Sequence, residues 1–342
     1  MTTRPRLELL AIVTGVMMAM SATAMAASVL QVAAPLRIAV LVAAAASLIV
    51  TMPLLWAMFR RTRPSFSIAH NIAIIGFPQS GKTTLITSLF AEIFAKRVLG
   101  LHLDPSGGST IDRVNQDLAR LETGVALGPT GDQERFSYRC NMEVYSFLFP
   151  RTYKVEFGDF PGGDSRDYAE RDWLWLHDTP FFKWVEAADA LVFVVDLGAY
   201  LRAARGDTSP RAFVAHMSAA IRGAWQHYVD SIEGGAAAAS RRAVVLAFTK
   251  ADLCDLLGQA EDDRVLTAIA KLGFGDTVSP VRRIDTAILR QLEEVVQGEF
   301  ADLITYLRSQ TRHFSVIFTS CFGTLEGRRL GLAELLKAVL PR

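Results

Sequence analysis

Residues 76–84 read GFPQSGKTT and match the pattern G-x-x-x-x-G-K-[ST] at Gly76, Gly81, Lys82 and Thr83. The chemistry of this spacing is phosphate binding. Backbone N–H groups of such a loop, together with the N-terminus of the helix that follows, face phosphate oxygens. Lys82 supplies a mobile positive charge to the β- and γ-phosphates, and the Thr83 hydroxyl is a ligand for Mg²⁺. Phe77, Pro78, Gln79, Ser80 and Thr84 complete the loop.

Three further stretches fit the same ligand. VEFGDFPGG ends in Asp159 and continues to Gly162. A carboxylate at a strand end holds Mg²⁺ opposite a phosphate loop, usually through water. Glycine at 162 lets backbone approach the γ-phosphate. TKAD, residues 249–252, places Thr249, Lys250 and Asp252 after an apolar run. A carboxylate there accepts from both the N1–H and the exocyclic amine of guanine, a donor pair adenine lacks. The lysine stem can lie along the base plane. FTSC, residues 318–321, closes the last apolar run, and Ser320 and Cys321 are placed to offer a backbone N–H to guanine O6.

These stretches need strand ends to carry them. Apolar, β-rich runs at 71–76, 188–197, 243–250 and 314–320 alternate with helical patterns, the first over 82–96 and the last over 331–340. Continuous apolar strands between helices predict a mostly parallel sheet covered on both faces. Residues 135–149 and 152–160 read as an antiparallel strand pair, and 233–240, EGGAAAAS, as a surface loop. STID at 109–112 resembles a capping box that opens a helix, with Ile111, Val114, Leu118 and Leu121 at helical spacing and Gly124 at its end.

Together the motifs resemble the translation-factor-related class of P-loop GTPases on the Ras-like fold, over residues 70–342. The resemblance implies GTP/GDP and Mg²⁺ as ligands. It makes Gly76–Thr84 the phosphate loop and Asp159–Gly162 the DxxG motif. Thr249, Lys250 and Asp252 become the guanine motif, with threonine where asparagine is commoner, and Ser320 and Cys321 the last motif. An N-terminal anchor followed directly by such a domain is similar to the β-subunit of the signal-recognition-particle receptor, and the Pro-Thr pair at 129–130 is similar to Arf-like GTPases. Thr130 is then the threonine expected to close on Mg²⁺ and γ-phosphate, and with Lys82 the expected catalytic pair. Thr110 and Thr123 compete for that role, and a plain loop position for Thr130 stays open. One departure stands out. The residue after DxxG is often a glutamine that orients the attacking water; here it is Gly163. Intrinsic hydrolysis is therefore expected to be slow or assisted by a partner.

The hydrophobic fraction, 51%, is concentrated at the N-terminus. Segments 9–34 and 38–59 carry no charge, and each is long enough to cross a bilayer. Arg4 and Arg6 precede the first, and Arg60, Arg61 and Arg63 follow the second. By the positive-inside tendency both ends of the hairpin face the cytoplasm. Residues 1–63 are thus expected as a two-helix membrane anchor and 64–342 as a cytoplasmic GTPase domain at the membrane, the plasma or inner membrane if the source is bacterial. A rival reading takes the first span as a signal peptide cleaved near Ala27.

Residues 253–313 read as a helical insertion on the domain surface whose Leu289, Leu292, Val296, Leu303 and Leu307 pack on the core. The aromatic stretch 171–189, with Trp173, Trp175, Phe181, Phe182 and Trp184, either fills the core or, with the DxxG segment from 159, forms a protein-partner surface. A net charge of +1 gives no reason to expect nucleic acid as a partner, and three scattered cysteines give no disulfide framework or metal spacing. Three function classes follow: a membrane-anchored GTPase switch, a nucleotide-binding scaffold that barely hydrolyses, and an ATP-using P-loop enzyme.

Overall fold

The computed structural model describes residues 67–77, 79–95, 102–122, 127, 136–145, 150–159, 184–205, 209–256, 282–325 and 327–341. The apolar segments 9–34 and 38–59 lie outside them. Among the described residues no helix is long and apolar enough to cross a membrane.

The first half of the domain runs β1 (Ser67–Gly76), α1 (Lys82–Phe94), β2 (His102–Pro105), α2 (Gly108–Glu122), β3 (Phe136–Tyr145), β4 (Pro150–Asp159) and β5 (Ala190–Asp196). It continues through α3 (Leu197–Arg205), α4 (Pro210–Ser231), α5 (Gly235–Ala239), β6 (Ala243–Thr249) and a 3₁₀ turn at Ala251–Leu256. The last part holds β7 (Arg282–Arg283), α6 (Thr286–Glu299), α7 (Ala301–Gln310), β8 (His313–Phe318), β9 (Gly323–Leu325), β10 (Arg328–Arg329) and α8 (Leu332–Val339).

Seven strands form one sheet in the order β2-β3-β4-β1-β5-β6-β8. From β4 to β8 every neighbouring pair is parallel, while β3 is antiparallel to both β2 and β4. This is a mixed α/β domain with a mostly parallel sheet, consistent with the Ras-like fold expected from the sequence. All seven residues of β5 are buried, and their alternation divides them between two cores. Leu191, Phe193 and Val195 join the core beneath α4, α6 and α7, with Met217, Trp225, Leu289 and Leu303. Ala190, Val192 and Val194 join the core beneath α1 and α8, with Leu85, Phe90, Leu332 and Leu336. β1 splits in the same way, Ala73 and Ile75 to one side and Ile72 and Ile74 to the other. A strand covered on both faces needs apolar residues at every position, which is why these runs lack polar alternation.

Four local features differ from the sequence reading. The helix assigned to a capping box at Ser109 begins one residue earlier, at Gly108. The Thr110 hydroxyl instead accepts from the Arg139 N–H at 3.2 Å, tying α2 to β3. The stretch 233–240 is not all loop: Gly234, at φ 89°, opens the short helix α5, and Ala239 is fully buried. β2 was not foreseen. It is a four-residue edge strand, the position where a strand tolerates Pro105. Finally, the described part of 253–313 is the crossover between β6 and β8. Leu289, Leu292, Val296, Leu303 and Leu307 on α6 and α7 all belong to the core, and Phe300 between the helices meets Phe248 edge-on at 5.3 Å.

Candidate nucleotide-binding site

β1, β5, β6 and β8 end on one edge of the sheet, where α/β folds place their ligands. The phosphate-loop stretch leaves β1 at Gly76. A Cβ there would lie 2.9 Å from both the Ser80 hydroxyl and the Val194 side chain, so the loop's tight return needs glycine. Gln79 (φ 59°) and Gly81 (φ 85°) are left-handed and turn the chain into α1. No acidic residue stands in the first turn of α1, which leaves the positive end of the helix dipole unopposed. Lys82 is buried, and its Nζ donates to the carbonyls of Gly76 (2.9 Å) and Phe77 (2.8 Å). The buried Ser80 hydroxyl has no hydrogen-bond partner among the described residues. Thr83 and Thr84 are half-buried in the first turn of α1. Pro78 lies outside the described residues.

The TKAD stretch folds onto this loop. Thr249, the last residue of β6, donates its hydroxyl to the Ser80 carbonyl at 2.8 Å. Lys250 is left-handed at φ 62°, and its Nζ donates to the Gln79 carbonyl at 3.1 Å. Asp252, in the 3₁₀ turn, is buried, and its Oδ1 accepts from the Ser320 hydroxyl at 2.5 Å. Ser320 Oγ in turn accepts from the backbone N–H groups of Gly323 (2.6 Å) and Phe322 (3.2 Å). There is no space for a side chain at Gly323, where a Cβ would be 2.4 Å from Ile284 and 3.0 Å from Asp252. Cys321 donates its thiol to the Thr84 carbonyl at 3.5 Å. Burial pushes that thiol up to about 11, with Asp252 adding to the rise and Ser88, Arg329 and Lys250 opposing it.

The structure thus brings together Gly76, Phe77, Gln79, Ser80, Gly81, Lys82, Thr83, Thr84, Thr249, Lys250, Asp252, Ser320 and Cys321. Asp159 is the last residue of β4, the strand beside β1, in register with Phe136 of β3. Thr130, Gly162, Gly163 and residues 160–183 lie outside the described residues. At the end of the aromatic stretch, Val185 is buried and Trp184 packs against the same core.

Two residues at the site escaped the sequence reading. Asp196 ends β5 and pairs with Lys250 at 2.7 Å; its only signal was an aspartate closing the run ALVFVV. His216 of α4 meets Phe77 of the loop at a tilt, with ring centroids 5.3 Å apart and 46° between the ring planes. Nothing in the sequence set it apart from the other histidines.

No protein-family model and no curated protein matches the sequence. Among solved structures the chain is similar to the Arl6 BBS3 small GTPase from Trypanosoma brucei, determined with the bound nucleotide analogue GppNp. The identity is 12% and the TM-score 0.33, over 79% of this chain and 95% of that one.

Proposed function

We propose that the chain is a membrane-anchored guanine-nucleotide-binding switch and slow GTPase. The observation that carries this is the stitching of the base motif to the phosphate loop. Thr249 bonds the Ser80 carbonyl and Lys250 the Gln79 carbonyl, so one ligand can span both. The residues fit a nucleoside phosphate: a glycine-only return at Gly76, a buried Ser80 hydroxyl without a partner among the described residues, and Lys82 folded over two loop carbonyls.

In this reading the loop N–H groups of 76–84 and Lys82 hold the phosphates, and Gly162 approaches the terminal one. Thr83, Thr130 and Asp159 would hold Mg²⁺, which would supply positive charge to the phosphates. The Asp252 carboxylate accepts from the guanine N1–H and amine, Lys250 lines the base, and the backbone at Ser320 and Cys321 serves O6. Gly163 brings no side chain to orient water, so hydrolysis is slow without a partner. The partner surface is the segment 159–189, which the terminal phosphate orders. The hairpin 9–59 keeps the domain on the cytoplasmic face of a membrane. Nucleic acid has no place in this scheme.

Gly163 also favours a second reading, a non-hydrolysing nucleotide-binding scaffold of a membrane complex. An ATP-using enzyme is third, since adenine leaves Asp252 unmatched. Binding of GDP and ADP to the full chain in detergent, with single-turnover hydrolysis of GTP and ATP alongside, separates the three. The expected result is at least about tenfold preference for GDP, or about 1.4 kcal/mol, with GTP turnover near or below the unassisted benchmark of about 10⁻⁴ s⁻¹. Equal affinity for ADP sinks the guanine reading, and no turnover at all selects the scaffold.

A further inference from the structure

We propose that Asp196 is a positioning residue of the base site, a clamp that fixes the Lys250 side chain between the base motif and the phosphate loop. The inference rests on the guanine-nucleotide reading above. β5 lies between β1 and β6 in the sheet, so its final residue stands between the phosphate loop and TKAD. Asp196 is 8% exposed, and its two oxygens do different things. Oδ1 accepts from the Ala199 N–H at 3.2 Å, and Oδ2 accepts from Lys250 Nζ at 2.7 Å. The same ammonium donates to the Gln79 carbonyl. It therefore bridges a carboxylate on β5 and a carbonyl of the phosphate loop.

Three details show that this arrangement is built. Lys250 has a left-handed backbone, uncommon outside glycine, asparagine and aspartate, and this conformation brings its stem back toward the loop. Gln79, which supplies the accepting carbonyl, is left-handed as well. Gly198 makes room for the stem: a Cβ there would lie 3.4 Å from Lys250 Cδ, 3.1 Å from Asp196 Oδ1 and 3.0 Å from Leu253 Cδ1. Lysine is a flexible four-carbon chain with a strongly hydrated head, and this one is 34% exposed. Without the partly buried counter-charge, only the longer bond to the Gln79 carbonyl, at 3.1 Å, would hold the ammonium.

The plainer account is that Asp196 merely caps α3, since Ala199 is the third residue of that helix. Serine caps nearly as well as aspartate but cannot hold an ammonium. The test is fluorescent GDP binding to the full-length chain in detergent micelles, with wild type, Asp196→Ser, Lys250→Met and the double variant. The clamp predicts roughly tenfold weaker GDP binding for Asp196→Ser, the scale of a charge-assisted bond, with a melting temperature close to wild type. It also predicts no further loss when Asp196→Ser is added to Lys250→Met, because both changes remove one interaction. Arg202, at 3.9 Å from Oδ2, gives the control: Arg202→Ala should bind GDP as wild type does. If Asp196→Ser does not fold, Asp196→Asn, uncharged and of the same shape, takes its place. Wild-type affinity in the Asp196 variant, or a loss fully additive with Lys250→Met, overturns the clamp alone. Absence of GDP binding by the wild-type chain overturns the guanine reading and the clamp with it.

Discussion

Thr249→Val removes the hydroxyl that joins the base motif to the phosphate loop while keeping the side chain's shape. Thr249 is 4% exposed, and its bond to the Ser80 carbonyl is 2.8 Å. The nearest other acceptor is the Val195 carbonyl at 3.4 Å. The substitution leaves the Ser80 carbonyl without this donor, in a place water does not reach easily. A buried acceptor left unmade costs about 1–3 kcal/mol. For a domain of this size each kcal/mol moves the melting temperature by about 2–4 °C, so a fall of about 2–12 °C is expected. The bond also sets where Ser80 stands in the loop, so part of the loss should appear in ligand affinity. One kcal/mol there is about fivefold. Thermal melting and GDP titration on the same preparations measure both, and Thr249→Ser, which keeps the hydroxyl, should stay close to wild type. GDP affinity within twofold of wild type together with an unmoved melting temperature would refute the reasoning.

Asp252→Asn should shift preference from guanine toward xanthine nucleotides, because an amide donates to the xanthine C2 oxygen where the carboxylate accepted; competition between GDP and XDP reads this. Cys321 should alkylate on the order of fiftyfold more slowly in the folded chain than in denaturant at pH 8.5, given a thiol pushed from its ordinary 9 up to about 11, as followed by mass spectrometry of its peptide. The sign of the linked stability effect follows: a raised folded value means stability fully present below pH 9 and lost as pH rises from 9 toward 11. Cysteines placed at Arg4 and Arg61 should both label from the cytoplasmic side, whereas a mature chain starting near Ala27 would establish the cleaved-signal alternative.

Much of the sheet was legible because its signal is local. Four buried residues in a row at 72–75, or seven at 190–196, admit little besides a strand covered on both faces, and G-x-x-x-x-G-K-T between a strand and a helix leaves one reading. What escaped depends on neighbours distant in sequence. His102–Pro105 has no apolar pattern, and it is a strand because β3 offers an open edge. The helices at 286–310 read as added to the surface, since amphipathic spacing cannot tell a helix that decorates a domain from one that closes the crossover between β6 and β8.

The same limit governs the chemistry of the base site. From sequence, Ser320 was a carrier of backbone for guanine O6, because four residues at a strand end suggest nothing more. In the fold its side chain holds Asp252, 68 residues away, at 2.5 Å and takes two backbone N–H groups in return. Asp252 is buried, and a carboxylate in such a place keeps its direction only if something donates to it. Ser320 directs Asp252, and Asp196 holds Lys250. Each base-motif side chain that touches the ligand in the proposed function therefore depends on one residue from a neighbouring strand end. Motif spacing identifies the first member of each pair; only the packing of β5, β6 and β8 side by side supplies the second.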